Sequence, residues 1–287
     1  MPEGDTLFRT AAGLRPHLLG RTVTAARARV PGPRVERIVG ATVGAVDAVG
    51  KNLLIRFDNR LELRTHLGMH GSWHRYRPGE PWRRPAGRAV LVLEVEGAVA
   101  VCFDAPVAEL LETRAEGLHP SLGGLGPDAT ADGFDREEAI HRLRDPARAG
   151  RAIAEAILDQ RALAGVGNVY KSEVLFIERV DPFVGVDALD DATVGRLVDR
   201  AHALLLANRA SVARVTTGAA GGGAAALTDP GARSARGARL WVYRRAGRPC
   251  RRCGTLITAR RHGDLPRTTY WCPHCQEAPP GQAEDHP

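Results

Sequence analysis

The first part of the chain alternates between short apolar segments and turn residues. Leu7, Leu14 and Leu18 recur at helical spacing, which predicts a helix over residues 5–19 with Asp5 as its N-cap. Between residues 22 and 104 the pattern is typical of short strands: TVTAARARV, ATVGAVDAV, NLLIRF, RLELRTHL, AVLVLEVE and AVAVCFD. The Pro-, Arg- and Trp-rich stretch 70–88 is predicted to be an exposed loop. Several short strands in succession predict a sheet sandwich or barrel.

Helical periodicity dominates after the turn residues GGLGPD, in four segments: 134–143, 151–158, 169–177 and 188–208. The chain is therefore predicted to have an α+β fold. We divide it into an N-terminal domain, a helical domain, a cysteine-rich ribbon and a disordered polar tail: 1–130, 131–239, 240–276 and 277–287. The Gly/Ala-rich segment Gly218–Ala226 is predicted to be mobile.

Composition narrows the class of protein. A hydrophobic fraction of 44% in 287 residues predicts a folded protein of two modest domains. No apolar run approaches the ~18 residues of a membrane span, and the acidic start is unlike a signal peptide, so a cytoplasmic, nucleoid-associated protein is expected. The net charge is +7, and thirteen arginines between Arg209 and Arg267 face only Asp229 and Asp264. This excess favours a polyanionic partner, although a chain-wide bias toward arginine is an alternative explanation.

Four of the five cysteines form one metal-binding pattern. Cys250, Cys253, Cys272 and Cys275 read C-x2-C, eighteen residues, C-x2-C, the spacing of a four-thiolate zinc site. Such a closed site is structural and predicts one zinc ion whose binding is coupled to folding of the ribbon. The segment between the two pairs is predicted to be a hairpin with exposed arginines: Arg260, Arg261 and Arg267. Cys102 lies in an apolar strand and is predicted to be buried.

Two further segments carry candidate chemistry. In QRALAGVGNVYKSEVLF, residues 160–176, a glycine turn precedes a helix with Asn168 as its N-cap, which suits a phosphate; an ordinary helical hairpin is the alternative. At the N-terminus, removal of Met1 would leave Pro2 as a secondary amine. About 10% of an α-amine is neutral at pH 7 against roughly 0.04% of a lysine side chain, so Pro2 is a candidate nucleophile. Glu3 is a candidate acid; alternatively, Glu3 and Asp5 only stabilise the helix start.

Five motifs together resemble one family. MPEG, VGKNLLIRF, RTHLGMHGSW, QRALAGVGNVYKSEVLF and the C-terminal PC-x2-C with RTTYWCPHC occur in the order found in the Fpg/Nei family of DNA glycosylases/AP lyases. The resemblance covers about residues 2–276. It implies an N-terminal β-sandwich with a flanking helix, followed by a helical domain with a helix–two-turn–helix and a zinc ribbon.

The resemblance also implies catalytic roles. Pro2 matches the Schiff-base nucleophile and Glu3 the acid. Lys51 matches the hairpin lysine that contacts the phosphate beside the lesion and assists β-elimination, although a surface lysine on a strand turn is the alternative. Arg267 matches the zinc-finger arginine assigned to phosphate binding and δ-elimination.

Further positions match the family's DNA contacts. Asn168 matches the backbone-clamping asparagine, and Met69 falls where the family fills the hole left by the flipped base. Arg261 is expected to contact DNA from the hairpin. Glu173 matches a helix glutamate near the active site, with a role in supporting the fold as the alternative. A core position is the alternative for Met69.

Departures from the family pattern bear on specificity. PEGD replaces the starts PEGP and PELP, so Asp5 is a candidate for tuning Glu3. FDAPVAELLE lacks the RRFG segment of formamidopyrimidine glycosylases, which favours an endonuclease VIII-like preference for oxidised pyrimidines. The alternatives are an 8-oxoguanine-type enzyme, a non-catalytic DNA-binding paralogue, or a zinc-ribbon protein with a protein or RNA partner. The expected partner is damaged DNA, bound by a monomer without membrane attachment or a small-molecule cofactor.

Overall fold

The structure is a computed structural model that describes residues 2–211, 213–217, 239–263 and 266–277. The chain divides into two compact units, Met1–Gly124 and Leu125–Pro287, which are described separately. The predicted mobile segment Gly218–Ala226 and the predicted tail beyond Glu277 lie outside the described residues.

The first unit is a β-sandwich with one long helix. Its elements in chain order are α1 (Gly4–Leu18), β1 (Val23–Ala28), β2 (Val43–Val49), β3 (Asn52–Phe57), β4 (Leu61–His66), β5 (Ser72–Tyr76), β6 (Ala89–Val95), β7 (Ala98–Phe103) and β8 (Val107–Glu112). One four-stranded sheet has the order β1-β6-β7-β5 and the other β2-β3-β4-β8, and all pairings are antiparallel. The predicted sandwich with a flanking helix is confirmed.

Apolar side chains on the inward-facing sides of the strands fill the space between the two sheets. Leu53 and Ile55 of β3 and Leu63 of β4 are fully buried in one core with the apolar face of α1. The predicted periodic leucines of α1 all belong to this core. Cys102 is also buried there, as predicted, and burial raises the pKa of its thiol.

Two strands were missed by the sequence patterns. The prediction of a loop over 70–88 is wrong for Ser72–Tyr76, which forms β5 and pairs with β7. Its alternation is weak because Trp73 packs on the main core whereas Tyr76 packs with Phe103 on the outer face of the sheet. The second strand, β8, lies in FDAPVAELLE, where mixed acidic and apolar residues hide the period of two.

Among its described residues, the second unit contains four α-helices and a small hairpin. They are α2 (Arg136–Leu143), α3 (Ile153–Ala156), α4 (Asn168–Ile177), α5 (Asp191–Asn208), β9 (Thr258–His262) and β10 (Arg267–Trp271). Helix α3 is shorter than the predicted 151–158, because Ala152 forms a bridge to Gly185 instead of a helical turn. Tyr170, Leu175, Leu197 and Leu205 lie in the shared core of α4 and α5. Among the described residues, no helix combines the length and apolar character needed to cross a bilayer.

Candidate functional site

The amino-terminal end of α1 presents Pro2 and Glu3 side by side. Glu3 is the N-cap, and its carbonyl oxygen accepts hydrogen bonds from the amides of Thr6 (2.9 Å) and Leu7 (3.1 Å). Glu3 is fully buried, whereas Pro2 remains partly exposed. The positive end of the helix dipole therefore lies at the Glu3 carboxyl group, next to the residue expected to carry the nucleophilic amine.

Asp5 does not have the predicted role of N-cap. It lies inside the first turn of α1, where it is fully buried and forms an ion pair of 3.2 Å with Arg9 one turn later. The helix begins one residue before Asp5 because Gly4 already adopts the helical conformation after the extended Glu3. Asp5 thus adds negative charge at the favourable end of the helix without capping it.

Helix α1 runs antiparallel to β2. The amide of Gly20 donates to the carbonyl of Val43 (2.8 Å), and Arg15 donates to the carbonyl of Val46 (2.7 Å). From Arg15 back to Glu3 the helix spans about 18 Å. From Val46 forward to Lys51 the strand spans about 17 Å. The start of α1 and the turn after β2 therefore reach the same end of the sandwich.

Lys51 occupies this turn between β2 and β3. Val49 pairs with Asn52 across a two-residue turn in which Gly50 has φ +57. On the next strand, Asn52 pairs with His66. Burial, with Lys51 and Arg64 nearby, lowers the pKa of His66. The lowered pKa favours neutral His66, so Lys51 is the cation that this turn offers to a phosphate.

His66 and Arg64 were not singled out from the sequence. Arg64 is nearly buried and donates to the Oδ1 of Asn52 (3.0 Å) and to Glu109 (2.5 Å), which fixes the β3–β4 pair beside the Lys51 turn. The available signal was His66 at the head of the HLGMHG segment, because functional residues are found disproportionately on loops that a rigid scaffold positions.

The loop between β4 and β5 carries Met69. The amide of Gly71 donates to the carbonyl of Leu67 (2.8 Å), and a Cβ at Gly68, which has φ +57, would lie 2.7 Å from Pro106. This tight turn leaves Met69 55% exposed, so the alternative of a core methionine is excluded. Because the loop directly follows His66, the Pro2, Glu3, Lys51 and Met69 positions converge on one end of the first unit.

In the second unit, Asn168 lies at the start of α4 but is not its N-cap. Gly167 has that position, and the Nδ2 of Asn168 donates instead to the carbonyl of Thr268 in β10 (2.8 Å). The Oδ1 of Asn168 is buried without a partner among the described residues. An unpaired buried acceptor costs about 1–3 kcal/mol, so an ordered water or a donor from a ligand is expected there.

The turn before α4 is braced by Gln160. Its amide nitrogen donates to the carbonyls of Leu158 (2.7 Å) and Val166 (3.0 Å), and its Oε1 accepts from the amide of Gly165 (3.1 Å). Gly165 has φ +90, which a residue with a side chain rarely adopts. These contacts fix the turn that leads into the start of α4.

The ribbon presents arginines on a two-stranded hairpin. In β9, Arg260 stacks 4.4 Å from the ring of Phe183 and His262 pairs with Glu155 (2.8 Å), whereas Arg261 between them is exposed. Arg267 is exposed at the start of β10, paired with His262. Side chains alternate along β9, so Arg260 and His262 contact the rest of the second unit, whereas Arg261 faces solvent.

The four predicted metal ligands come together at the base of this hairpin. All four Sγ atoms lie within 4.8 Å of one another, with 3.9 Å between Cys250 and Cys275 and 3.5 Å between Cys253 and Cys272. Tetrahedral zinc with Zn–S bonds of ~2.3 Å requires sulfur atoms about 3.8 Å apart. The cysteines fit this geometry, and they are the ligands of one structural zinc ion, as predicted.

Glu173 supports the fold instead of contacting DNA. It is fully buried, and its carboxylate accepts hydrogen bonds from the amides of Trp241 (2.7 Å), Val242 (2.9 Å) and Tyr243 (2.8 Å) and from the hydroxyl of Thr216. Burial raises the pKa of this carboxyl group. The expected direct DNA contact is corrected, because the Glu173 side chain is fully buried: it anchors Trp241, Val242 and Tyr243, which lead into the ribbon.

Comparison with known protein families accounts for most of the chain. Residues 1–106 match the formamidopyrimidine-DNA glycosylase N-terminal domain, residues 125–217 match the H2TH domain of the same enzyme, and residues 247–278 match the zinc finger found in FPG and IleRS. "Probable endonuclease 8 2" of Streptomyces coelicolor is 41% identical over 283 residues, covering 97% of this chain and 95% of that protein.

The chain belongs to the Fpg/Nei family. The resemblance inferred from five short motifs is thereby confirmed. A second family member, "DNA-(apurinic or apyrimidinic site) lyase Nei2" of Mycolicibacterium smegmatis, is 40% identical over 279 residues, covering 97% of this chain and all of that protein.

Solved structures of the family have the same fold. The MutM (Fpg) protein of Thermus thermophilus superposes with a TM-score of 0.76 at 27% identity, covering 97% of this chain and 100% of that one. The Fpg of Lactococcus lactis in complex with DNA containing an abasic site superposes with a TM-score of 0.76 at 22% identity, covering 96% of this chain and 100% of that one. Both agree with the predicted Fpg-like α+β architecture.

Proposed function

We propose that this Fpg/Nei member is a bifunctional DNA glycosylase and AP lyase of base-excision repair, acting as a monomer on damaged DNA in the nucleoid. The relatives named endonuclease 8 and apurinic/apyrimidinic-site lyase support this reaction class. The observation that carries the proposal is the meeting of Pro2, Glu3, Lys51 and Met69 at one end of the first unit. A nucleophile, an acid, a phosphate-binding cation and an exposed apolar side chain are the parts that the reaction needs.

The first step replaces the bond between C1′ and the damaged base with a bond between C1′ and the amine of Pro2. The amine of Pro2, freed by removal of Met1, attacks C1′ of the flipped nucleotide; a C–N bond forms as the glycosidic bond breaks, and the departing base takes up the proton that the amine loses. Glu3 in its acid form protonates the ring oxygen of the sugar as the ring opens, and the electron pair of the amine completes an iminium ion. Burial of Glu3 beside Pro2 excludes bulk water from this proton transfer.

The second stage uses the iminium ion as an electron sink. Loss of a C2′ proton expels the 3′ phosphate by β-elimination, and a further proton loss expels the 5′ phosphate by δ-elimination. Lys51 and Arg267 are the cations proposed to stabilise the departing phosphates. Water then hydrolyses the iminium, which releases the unsaturated sugar fragment and regenerates the amine of Pro2.

The second unit provides the proposed contacts with the DNA phosphate backbone. Asn168 at the start of α4, with Arg261 and Arg267 on the hairpin, are proposed to contact the phosphate backbone. The hydrogen bond from Asn168 to Thr268 supports joint action, because it couples the helix start to the strand that carries Arg267. The zinc ion holds the hairpin and takes no part in the chemistry.

Oxidised pyrimidines are the proposed lesions. Strand β7 ends at Phe103 and β8 begins at Val107, and the short turn between them is held by Asp104, which accepts from Arg84 (2.7 Å) and Arg88 (2.8 Å). A turn this short does not carry the arginine-bearing segment that formamidopyrimidine glycosylases direct at the opposite base. A panel of duplexes with thymine glycol, dihydrouracil, 5-hydroxyuracil and 8-oxoguanine tests this preference, and faster excision of 8-oxoguanine would overturn it.

Borohydride trapping on an oligonucleotide with an abasic site tests the mechanism. The chain contains only two lysines, Lys51 and Lys171, so a variant with both changed to arginine has no side-chain amine of that kind. We expect this variant to form the covalent adduct, with the adduct mapped to Pro2 by peptide mass spectrometry.

A form that retains a residue before Pro2 is the matched negative control and is expected to form no adduct. An adduct mapped to a lysine, or lost in the lysine-free variant while that variant keeps its Tm and its binding to abasic DNA, would contradict the proposal. DNA binding with no adduct in any form would favour the non-catalytic paralogue, and binding without salt dependence would favour a zinc-ribbon protein with another partner.

A further inference from the structure

The first unit has a groove that the proposed reaction does not use. It lies between α1 and β5 and consists of two adjoining clefts of about 360 and 320 Å³, which share Arg75 and Arg83 in their walls. We call it the α1–β5 groove. Volumes of this size are typical of ligand-binding clefts.

The groove has a direction. One cleft is bounded by Arg9 of α1 and Trp73 of β5, and the other by His17 and Arg77. Residue numbers therefore increase in the same direction along both walls of the groove. Arg75 marks the middle, where it donates to the carbonyl of Gly13 (3.4 Å) and contacts His17. Because α1 starts after Pro2 and β5 follows the Met69 loop, the groove leads away from the end of the sandwich that carries the proposed chemistry.

The walls of the groove are cationic. Arg75, Arg77 and Arg83 are exposed, and none of them forms an ion pair with any described residue. Neighbouring Arg84 and Arg88, by contrast, are both neutralised by Asp104.

The remaining polar groups of the groove do not neutralise these arginines. Glu80, the acidic residue among the described lining residues, accepts a hydrogen bond from the main-chain amide of Arg77 (2.9 Å). Burial, with Arg75 and Arg21 nearby, lowers the pKa of His17.

We propose that the α1–β5 groove binds the phosphate backbone of a single DNA strand that extends beyond the duplex around the lesion. Guanidinium groups suit phosphates because their fork of N–H donors matches two phosphate oxygens. The half-buried Trp73 lines one cleft and gives the groove an apolar surface against which a base can pack, the combination typical of single-strand sites. An acidic peptide would also satisfy the arginines, but the groove begins at the end of the unit proposed to hold DNA, which favours nucleic acid.

The choice of DNA as the occupant rests on the proposed function. The test distinguishes failure of the groove proposal from failure of the proposed function. Fluorescence anisotropy compares a blunt duplex carrying a stable abasic-site analogue with the same duplex extended by single-stranded dT12 at either end. The groove variant is Arg75→Ser, Arg77→Ser and Arg83→Ser. The matched control is Arg29→Ser, Arg34→Ser and Arg37→Ser, three exposed arginines of the same unit outside the groove, with the same loss of charge.

We expect the native protein to bind one of the extended duplexes more tightly than the blunt one. Each single-strand phosphate contact adds about 0.7 to the slope of log affinity against log salt. With three such contacts, the affinity gain from the extension should fall about 20-fold between 50 and 200 mM salt. The groove variant should lose this gain, whereas the control variant keeps it and both trap blunt abasic duplex normally.

Three results would overturn the proposal: no gain from either extension in the native protein, equal losses in the groove and control variants, or a gain that survives in the groove variant. Binding of a fluorescent oligoglutamate peptide that is lost only in the groove variant, with no effect on extended DNA, would reassign the groove to an acidic protein segment. Failure of trapping on blunt duplex in all forms would instead refute the proposed enzymatic function.

Discussion

The side-chain amide of Asn168 donates a hydrogen bond of 2.8 Å to the main-chain carbonyl of Thr268. One residue further along β10, the ammonium group of Lys171 donates to the hydroxyl of Thr269, also at 2.8 Å. Helix α4 and the hairpin strand are therefore joined at two successive positions, both next to the exposed Arg267. These two hydrogen bonds connect the start of α4 to the hairpin within the second unit.

The first prediction concerns Lys171, which is almost fully buried together with Thr269. Lys171→Met removes the ammonium group and leaves the Thr269 hydroxyl without this donor, so we expect a lower Tm and a shift from δ- to β-elimination products as Arg267 loses its fixed position. Gel analysis of the two products on an abasic oligonucleotide measures the ratio. Thr269→Val and the double variant complete a cycle, and strictly additive effects would contradict coupling through this bond.

The second prediction separates the two activities at Glu3. An intact nucleoside needs its ring oxygen protonated while the base leaves, whereas an abasic sugar already opens in water. Glu3→Gln is therefore expected to reduce base excision by about 10²–10⁴-fold while leaving most of the strand cleavage at a preformed abasic site. Single-turnover assays on a damaged duplex and on an abasic duplex measure the two rates. Equal losses in both assays would show that Glu3 is not an acid specific to base excision.

The third prediction concerns Met69, whose side chain is 55% exposed in a tight loop. Met69→Ala removes no core contact, so the unfolding free energy should change by less than about 0.5 kcal/mol. Excision from duplex DNA should fall, because the hole left by the flipped base is no longer filled, whereas excision from single-stranded DNA should be unchanged. Equal losses on both substrates would argue against insertion of Met69. Exposed Leu118→Ala is the matched control.

The fourth prediction concerns removal of zinc. A strong chelator, or Cys253→Ser, should unfold the ribbon, because metal binding and folding of such a small module are coupled. We expect the salt slope of DNA binding to become shallower as Arg261 and Arg267 lose their positions. Metal analysis and titrations at several salt concentrations measure this, and adding zinc back to the chelated protein should restore the slope. An unchanged slope would exclude the ribbon from phosphate binding.

The fifth prediction is a pH dependence of stability. Burial, with the Glu116 carboxylate nearby, raises the pKa of Glu62 to about 7, against the opposing effect of Arg56. An unfolded glutamate titrates near 4.3, so the stabilisation from the protonated form is complete below about pH 4.3 and is lost as the pH rises through about 7. Glu62→Gln should therefore gain Tm relative to the native protein between about pH 5 and 8. An unchanged difference, like that expected for exposed Glu36→Gln, would refute this.

Local patterns in the sequence determined much of this protein. The leucines of α1, the strands β3, β4, β6 and β7, the helices α4 and α5, and the four cysteines follow from period, composition and spacing, because each depends on residues close in the chain. The ordered motifs identified the family for the same reason. Strands β5 and β8 escaped because their partners, β7 and β4, decide their conformation more than their own alternation does.

The tertiary structure decided which side chains do what. Asn168 and Asp5 have good capping propensity, yet Asn168 bonds to a strand a hundred residues away and Asp5 pairs with Arg9. Glu173 matched a family position near the active site, yet three backbone amides and a hydroxyl enclose its carboxylate. Propensity describes a residue and its neighbours along the chain, whereas hydrogen-bond partners and burial depend on segments that only folding brings together.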